Sequence, residues 1–253
     1  MRAFLVSFLV FVLLATVGLV ALIKVGGRDQ PSPGHLKAIT PATKTRVLDH
    51  EGRVIGEFYR ENRILVGLDE IPENLVLAFI AVEDRRFWDH WGISLTSVAR
   101  ASLKNLSSLR VREGASTITQ QLARNLFLTH EQTLSRKMKE AVLALRIEQS
   151  YSKEEILEMY LNQIYFGDGA YGVQAASRRY FGKDVKDLTL AESAILAGLP
   201  RNPRNYSPYR HPEAALRRRE IVLKSMQQCG FITAEQATEA EQESLAVVAS
   251  PLS

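Results

Sequence analysis

Two stretches of the chain hold side chains able to do chemistry. Residues 81–92 read Ala-Val-Glu-Asp-Arg-Arg-Phe-Trp-Asp-His-Trp-Gly, and residues 114–125 read Gly-Ala-Ser-Thr-Ile-Thr-Gln-Gln-Leu-Ala-Arg-Asn. A third, Arg136-Lys137-Met138-Lys139-Glu140, places cations beside a second carboxylate. A sugar hydroxyl is a weak nucleophile and profits from a positioned base. A departing phosphate gains charge, which cations and the amides of a helix start can stabilise. A carboxylate, a polar helix start and a cationic cluster together suit transfer of a sugar from a phosphate.

Each feature has an ordinary alternative. Glu83 follows the apolar helical run of Leu75, Phe79 and Val82, where a charged residue is commonly just the exposed helix end. Around it stand Phe87, Trp88, His90 and Trp91, and aromatic surroundings can desolvate a carboxylate and raise its pKa toward that of a useful base. His90 either orients a carboxylate or caps a helix. Glu140 shares a helix face with Arg136 and Lys137, at i−4 and i−3, above an apolar stripe of Leu134, Met138, Val142 and Leu145. Solvated ion pairs explain that spacing as well as a site does. No metal site is expected, because the 5 His are scattered and no His-x-x-x-His pair or Cys cluster occurs. The lone Cys229, before Gly230, reads as a small apolar filler.

Several elements must position these groups. Thr117 with Gln120, Ser152 with Glu155, Thr189 with Glu192 and Thr233 with Gln236 have capping-box spacing, which marks helix starts. Ala3 to Ile23 runs without a charge, and roughly 20 apolar residues can span a bilayer. No small-x-small cleavage site follows it, so residues 1–24 are expected to be a retained transmembrane anchor. Arg2 before it and Lys24 and Arg28 after it leave its orientation open. Gly26-Gly27 and Pro31-Ser32-Pro33-Gly34 make 25–44 a linker. Thr45–Leu48 and Arg53–Tyr59 flank a turn signal and suggest a β-hairpin, and from Pro72 onward the pattern is helical. Residues 45–253 are expected to form one domain.

A net charge of +4 favours anionic partners. The basic residues lie among acidic ones and form no nucleic-acid module, so anionic lipid or a pyrophosphate fits better than nucleic acid. Between Ala99 and Arg112, Leu103, Leu106 and Leu109 alternate with Arg100, Lys104, Arg110 and Arg112. That spacing suits either core packing or a basic amphipathic helix on a membrane surface.

The chain resembles the peptidoglycan glycosyltransferases that polymerise lipid II, either as monofunctional enzymes or as the N-terminal module of bifunctional penicillin-binding proteins. Five blocks carry the likeness in order between Thr45 and Met226: the three above; residues 153–162, Lys-Glu-Glu-Ile-Leu-Glu-Met-Tyr-Leu-Asn, with Tyr165-Phe166-Gly167; and Leu196 to Pro200 with Tyr206-Ser207-Pro208. The resemblance implies a mainly α, lysozyme-like, two-lobed domain beside the membrane. It implies inverting transfer that builds β-1,4-linked glycan and releases undecaprenyl pyrophosphate. By the same likeness Glu83 is the general base and Glu140 a second essential carboxylate. Arg136 and Lys137 are then donor-side cations, and Ser116, Gln121, Arg124 and Asn125 contact substrate.

Lipid II, the growing glycan strand, membrane lipids and other cell-wall synthesis proteins are the implied partners. The implied location is the inner (cytoplasmic) membrane, crossed once, with the catalytic domain on the outer side. No cofactor is required; a divalent cation, Mg or Mn, is compatible with the pyrophosphate, but no ligand cluster demands one. The sequence departs from the family pattern at Ser94, Ala115 and Gln132. A lysozyme-like glycan hydrolase and an inactive membrane scaffold are the competing readings. The polar and cationic block from Ser116 to Lys137 speaks against the first, and the presence of Glu83 and Glu140 against the second.

Overall fold

The computed structural model describes residues 45–58, 62–94, 96, 116–128 and 133–248. The fold is mainly helical. Among the described residues the α-helices are α1 (Glu73–Glu83), α2 (Ile118–Phe127), α3 (Leu134–Ser150), α4 (Lys153–Gln163), α5 (Val173–Phe181), α6 (Leu190–Gly198), α7 (Pro212–Gln228) and α8 (Ala234–Gln242). All four capping boxes form, with Thr117, Ser152, Thr189 and Thr233 accepting from the third residue beyond them. These bonds satisfy amides that a helix start would otherwise leave open. At the other end of α7, Cys229 is the half-buried cap residue packed against the core, and Gly230 turns the chain at φ +74°.

Helix α6 is the centre of the molecule. Ala191 through Gly198 are all buried, and small residues on every face let α1 and α7 pack directly against it. At Gly198 a Cβ would stand 2.7 Å from Cγ of the buried Arg218. A second group sets α2 between α3 and α4. Phe79 of α1 joins the groups, packing edge-on against Tyr160 of α4 at 5.9 Å and Phe166 at 6.1 Å. Such pairs add about 0.5–1.5 kcal/mol beyond the area they bury.

Strands β1 (Thr45–Leu48) and β2 (Val54–Phe58) pair antiparallel, and the Asp49 carboxylate closes the turn by accepting from the amides of Glu51 and Arg53. A second sheet interrupts the helical pattern expected from Pro72 onward. There β5 (Ala170–Tyr171) lies between β4 (Tyr165–Gly167), antiparallel to it, and β3 (Asn62–Arg63), parallel to it. Gly167, Asp168 and Gly169 all take positive φ in the connecting turn, which a helix cannot accommodate. Strands this short carry no alternation to read.

No helix among the described residues is long and apolar enough to cross a membrane. The expected anchor at 1–24, the linker at 25–44, the basic leucine segment from 99 to 112, and the departures at Ala115 and Gln132 lie outside the described residues.

Candidate active site

Glu83 is the last residue of α1. The next residue leaves the helix, and its side chain crosses to the second sequence stretch. Asp84 Oδ2 accepts a 3.0 Å hydrogen bond from the amide of Ile118, the first residue of α2, and lies 2.9 Å from His90 Nε2. His90 therefore orients a carboxylate, the first of the two roles its position allowed. Thr117 Oγ1 adds a 2.6 Å bond to the carbonyl of Gly92. From the other side, Lys153 Nζ donates to the carbonyl of His90 at 2.6 Å and to Glu148 Oε1 at 2.7 Å, and sits 4.5 Å from the centre of the Phe87 ring. Thr119 Oγ1 donates to the same Glu148 oxygen.

The 84–92 turn is thus bonded from two helices and seated on a buried Phe87. Gly92 has φ +77°, and a Cβ there would stand 2.9 Å from the carbonyl oxygen of Ala144 in α3. Gly92→Ala is expected to destabilise the protein by about 1–3 kcal/mol from backbone strain alone. Chemical denaturation would register it as a lowered midpoint; an unchanged midpoint would mean that the turn relaxes freely.

Glu83 itself is half-buried and held by the amide of Gln121, whose Nε2 donates to Glu83 Oε2 at 2.8 Å. Tyr160 OH in turn donates to Gln121 Oε1 at 3.4 Å. Complete burial first, then the charge of Glu83, push the Tyr160 phenol well above its ordinary value, against a smaller opposing effect of Arg124. The hydroxyl therefore stays a donor, which turns the Gln121 amide nitrogen toward Glu83. The aromatic residues expected to enclose Glu83 divide instead. Phe87 is in the core, while Trp88 and Trp91 remain 48% and 75% exposed, and an indole that open to water covers little of a neighbour. Arg124 and Asn125 lie one turn beyond Gln121 on α2, half-buried and exposed respectively.

The second carboxylate is fully buried, which removes the solvated ion-pair reading. Glu140 Oε2 accepts from Arg136 Nη1 at 2.8 Å and Oε1 from Lys137 Nζ at 2.5 Å. Lys137 also donates to Ser116 Oγ at 2.7 Å, so the cluster on α3 reaches the start of α2. Its side chain keeps 44% of its surface exposed. The backbone amides at this helix start are less open than the sequence suggested. Those of Thr117, Ile118 and Gln120 already bond to Gln120 Oε1, Asp84 Oδ2 and Thr117 Oγ1. Lys137 Nζ, bonded to Ser116, brings a cation to the same helix start.

The sequence that builds this arrangement matches a known family. The family model described as Transglycosylase matches residues 51–227, well over half of the chain. The chain belongs to the transglycosylase family. Penicillin-binding protein 1A of Aquifex aeolicus is 47% identical over 247 residues, covering 98% of this chain and 34% of that protein. Penicillin-binding protein 1F of Bacillus subtilis is 48% identical over 201 residues, covering 79% and 28%. The chain thus spans about a third of the length of these curated relatives. A solved structure of penicillin-binding protein 1A from Haemophilus influenzae, 25% identical, matches with a TM-score of 0.48 over 83% of this chain and 22% of that one.

Within this transglycosylase domain the expected residues form two groups joined by α2. Ser116, Arg136, Lys137 and Glu140 meet directly, and Glu83 meets Gln121. Sequence reasoning passed over Asp84, Thr119, Glu148, Lys153 and Tyr160 as positioning groups. A signal existed for Glu148, which lies two helical turns beyond Glu140 on α3 and so shares its face. Ser94, one of the departures, is buried with its hydroxyl 3.2 Å from that of Thr96. The donor set around Glu140 does not suit a protein-held divalent ion, because both oxygens already accept from cations. Among the described residues no three His, Cys, Asp or Glu side chains gather into a metal site.

Proposed function

We propose that the domain polymerises lipid II into β-1,4-linked glycan, and that it does so as a membrane-anchored, two-lobed, lysozyme-like catalyst. The carrying observation is the contrast between its carboxylates: Glu140 is buried and hydrogen-bonded by two cations, whereas Glu83 stands half-buried, hydrogen-bonded by one amide, with the charge of Arg218 acting on it without a direct bond. The first is built to hold positive charge in place, the second to take a proton. In the reaction, the 4-hydroxyl oxygen of the acceptor sugar attacks the anomeric carbon of the donor from the face opposite the pyrophosphate. The hydroxyl proton passes to Glu83 as the new C–O bond forms. The bond from the anomeric carbon to the pyrophosphate oxygen breaks with its electron pair, so the configuration inverts.

The leaving pyrophosphate then carries the charge that Lys137, with Arg136 and Ser116 beside it, stabilises. Gln121 aims Glu83, and Arg124 and Asn125 continue the same face of α2 toward substrate. The anchor at 1–24, the linker at 25–44, a catalytic domain spanning 45–253 on the outer side of the inner membrane, and contacts with membrane lipids and other cell-wall synthesis proteins belong to this proposal. Assistance to the pyrophosphate by a divalent ion, Mg or Mn, is compatible with this proposal.

Incubating the detergent-solubilised chain with labelled lipid II tests the reading. Formation of long glycan supports it. Release of short soluble sugars from finished glycan, without polymer, would identify a hydrolase, and neither product would identify an inactive scaffold.

A further inference from the structure

The chain contains 2 Trp, and both lie in the turn that directly follows Glu83. The turn is sorted sharply by burial. Asp84, Phe87 and Gly92 point inward and are pinned by the contacts described above, while Arg85, Arg86, Trp88, Asp89 and Trp91 point out. Trp88 rests edge-on against Phe87, with ring centres 5.1 Å apart, so its indole is held rather than loose. Trp91 is the most exposed of the large apolar side chains among the described residues, at 75%. Neither indole belongs to the buried core. Two guanidiniums and one carboxylate border them: Arg85 donates to the carbonyl of Ala81 and to Gln228, and Arg86 donates to Asp89 and Thr96.

We infer that the 85–91 turn is a docking element for the headgroup region of an anionic lipid bilayer. An indole has an apolar body and one N–H donor, which suits the boundary between hydrocarbon and water better than either side alone. Flanking guanidiniums complement anionic headgroups and add attraction there. A bilayer is also the partner indicated by the uncharged run from Ala3 to Ile23 in the same chain. The backbone of the turn is already held by these bonds, so little of its conformational freedom is lost on contact. Docking places Glu83 next to the lipid surface, where a lipid-linked pyrophosphate emerges. In this respect the inference rests on the proposed function and adds the surface that aligns the site with its substrate.

Because the two indoles are the only ones, native fluorescence reads the turn directly. The full chain is reconstituted into vesicles of equal parts phosphatidylglycerol and phosphatidylcholine, with acyl chains either plain or brominated close to the headgroup. Brominated lipid is expected to remove roughly half of the emission at interfacial depth, and plain vesicles to shift it to shorter wavelength. Trp88→Phe and Trp91→Phe, each leaving one reporter, are expected to show the effect singly, most strongly for the Trp91 reporter. High salt should weaken it, since part of the attraction is between charges. Emission at the wavelength of hydrated indole, unquenched by bromine and fully quenched by acrylamide, would overturn the inference. Shielding from acrylamide without bromine quenching would overturn it too, and would indicate burial against another copy of the chain. The same preparation is assayed for polymer from labelled lipid II in detergent. Polymer without bromine quenching counts against the docking element alone, whereas absence of polymer counts against the proposed function.

Discussion

Glu83→Gln is expected to lower glycan polymerisation by about 100- to 10,000-fold while leaving the unfolding transition where it is. The amide has the shape of the carboxylate and can still meet Gln121, which lies 2.8 Å away in the parent protein. It cannot take the proton that the acceptor hydroxyl must lose. Since Tyr160 holds the far side of Gln121, the surroundings of position 83 are expected to survive the change. Gel analysis of products from labelled lipid II checks the rate, and a thermal melt checks the fold. Polymerisation at the parent rate would remove Glu83 from the role of base and leave it as a helix end.

Lys137→Ala is expected to cost about 100- to 1,000-fold in rate, the range seen when one charge-stabilising donor is removed from an active site. Lys137→Arg is expected to cost much less, because a guanidinium keeps the charge and can bind phosphate through two parallel hydrogen bonds. The two substitutions separate the two jobs that geometry gives this side chain. Lys137 bonds Glu140 inside the protein and Ser116 at the start of α2, yet nearly half of its surface remains open. If its task were only to neutralise the buried Glu140, the Ala variant would lose stability but use donor normally once folded. Initial rates measured over a range of donor concentrations decide this. Equal rates for Lys137→Ala and the parent would assign the ammonium to structure alone.

The glycine at position 92 ties both residues to the fold. Its positive φ lets the turn press against α3, so the element that carries Glu140 also supports the segment that follows Glu83. Strain introduced there is therefore expected to reach Glu83 as well as the stability.

What the amino-acid sequence determined by itself were features decided within about one helical turn. The capping boxes at Thr117, Ser152, Thr189 and Thr233 form because each pairs groups three residues apart, and nothing distant need intervene. The pairing of Glu140 with Arg136 and Lys137 was legible for the same reason. Its burial was not, because whether that face meets solvent or protein depends on where α2 lies against α3. Only the tertiary structure decided that Asp84 holds the amide of Ile118, 34 residues away, that Lys137 reaches Ser116 across 21, and that Tyr160 aims Gln121 across 39. The small sheet joining residues 62–63 to 170–171 is of the same kind, since two-residue strands have no pattern of their own and exist only where packing brings them side by side. Spacing along the chain specifies which groups can share a helix face; the packing of α1, α2 and α3 specifies which of those faces meet, and so which carboxylate is enclosed between two cations and which is left half-buried beside an amide.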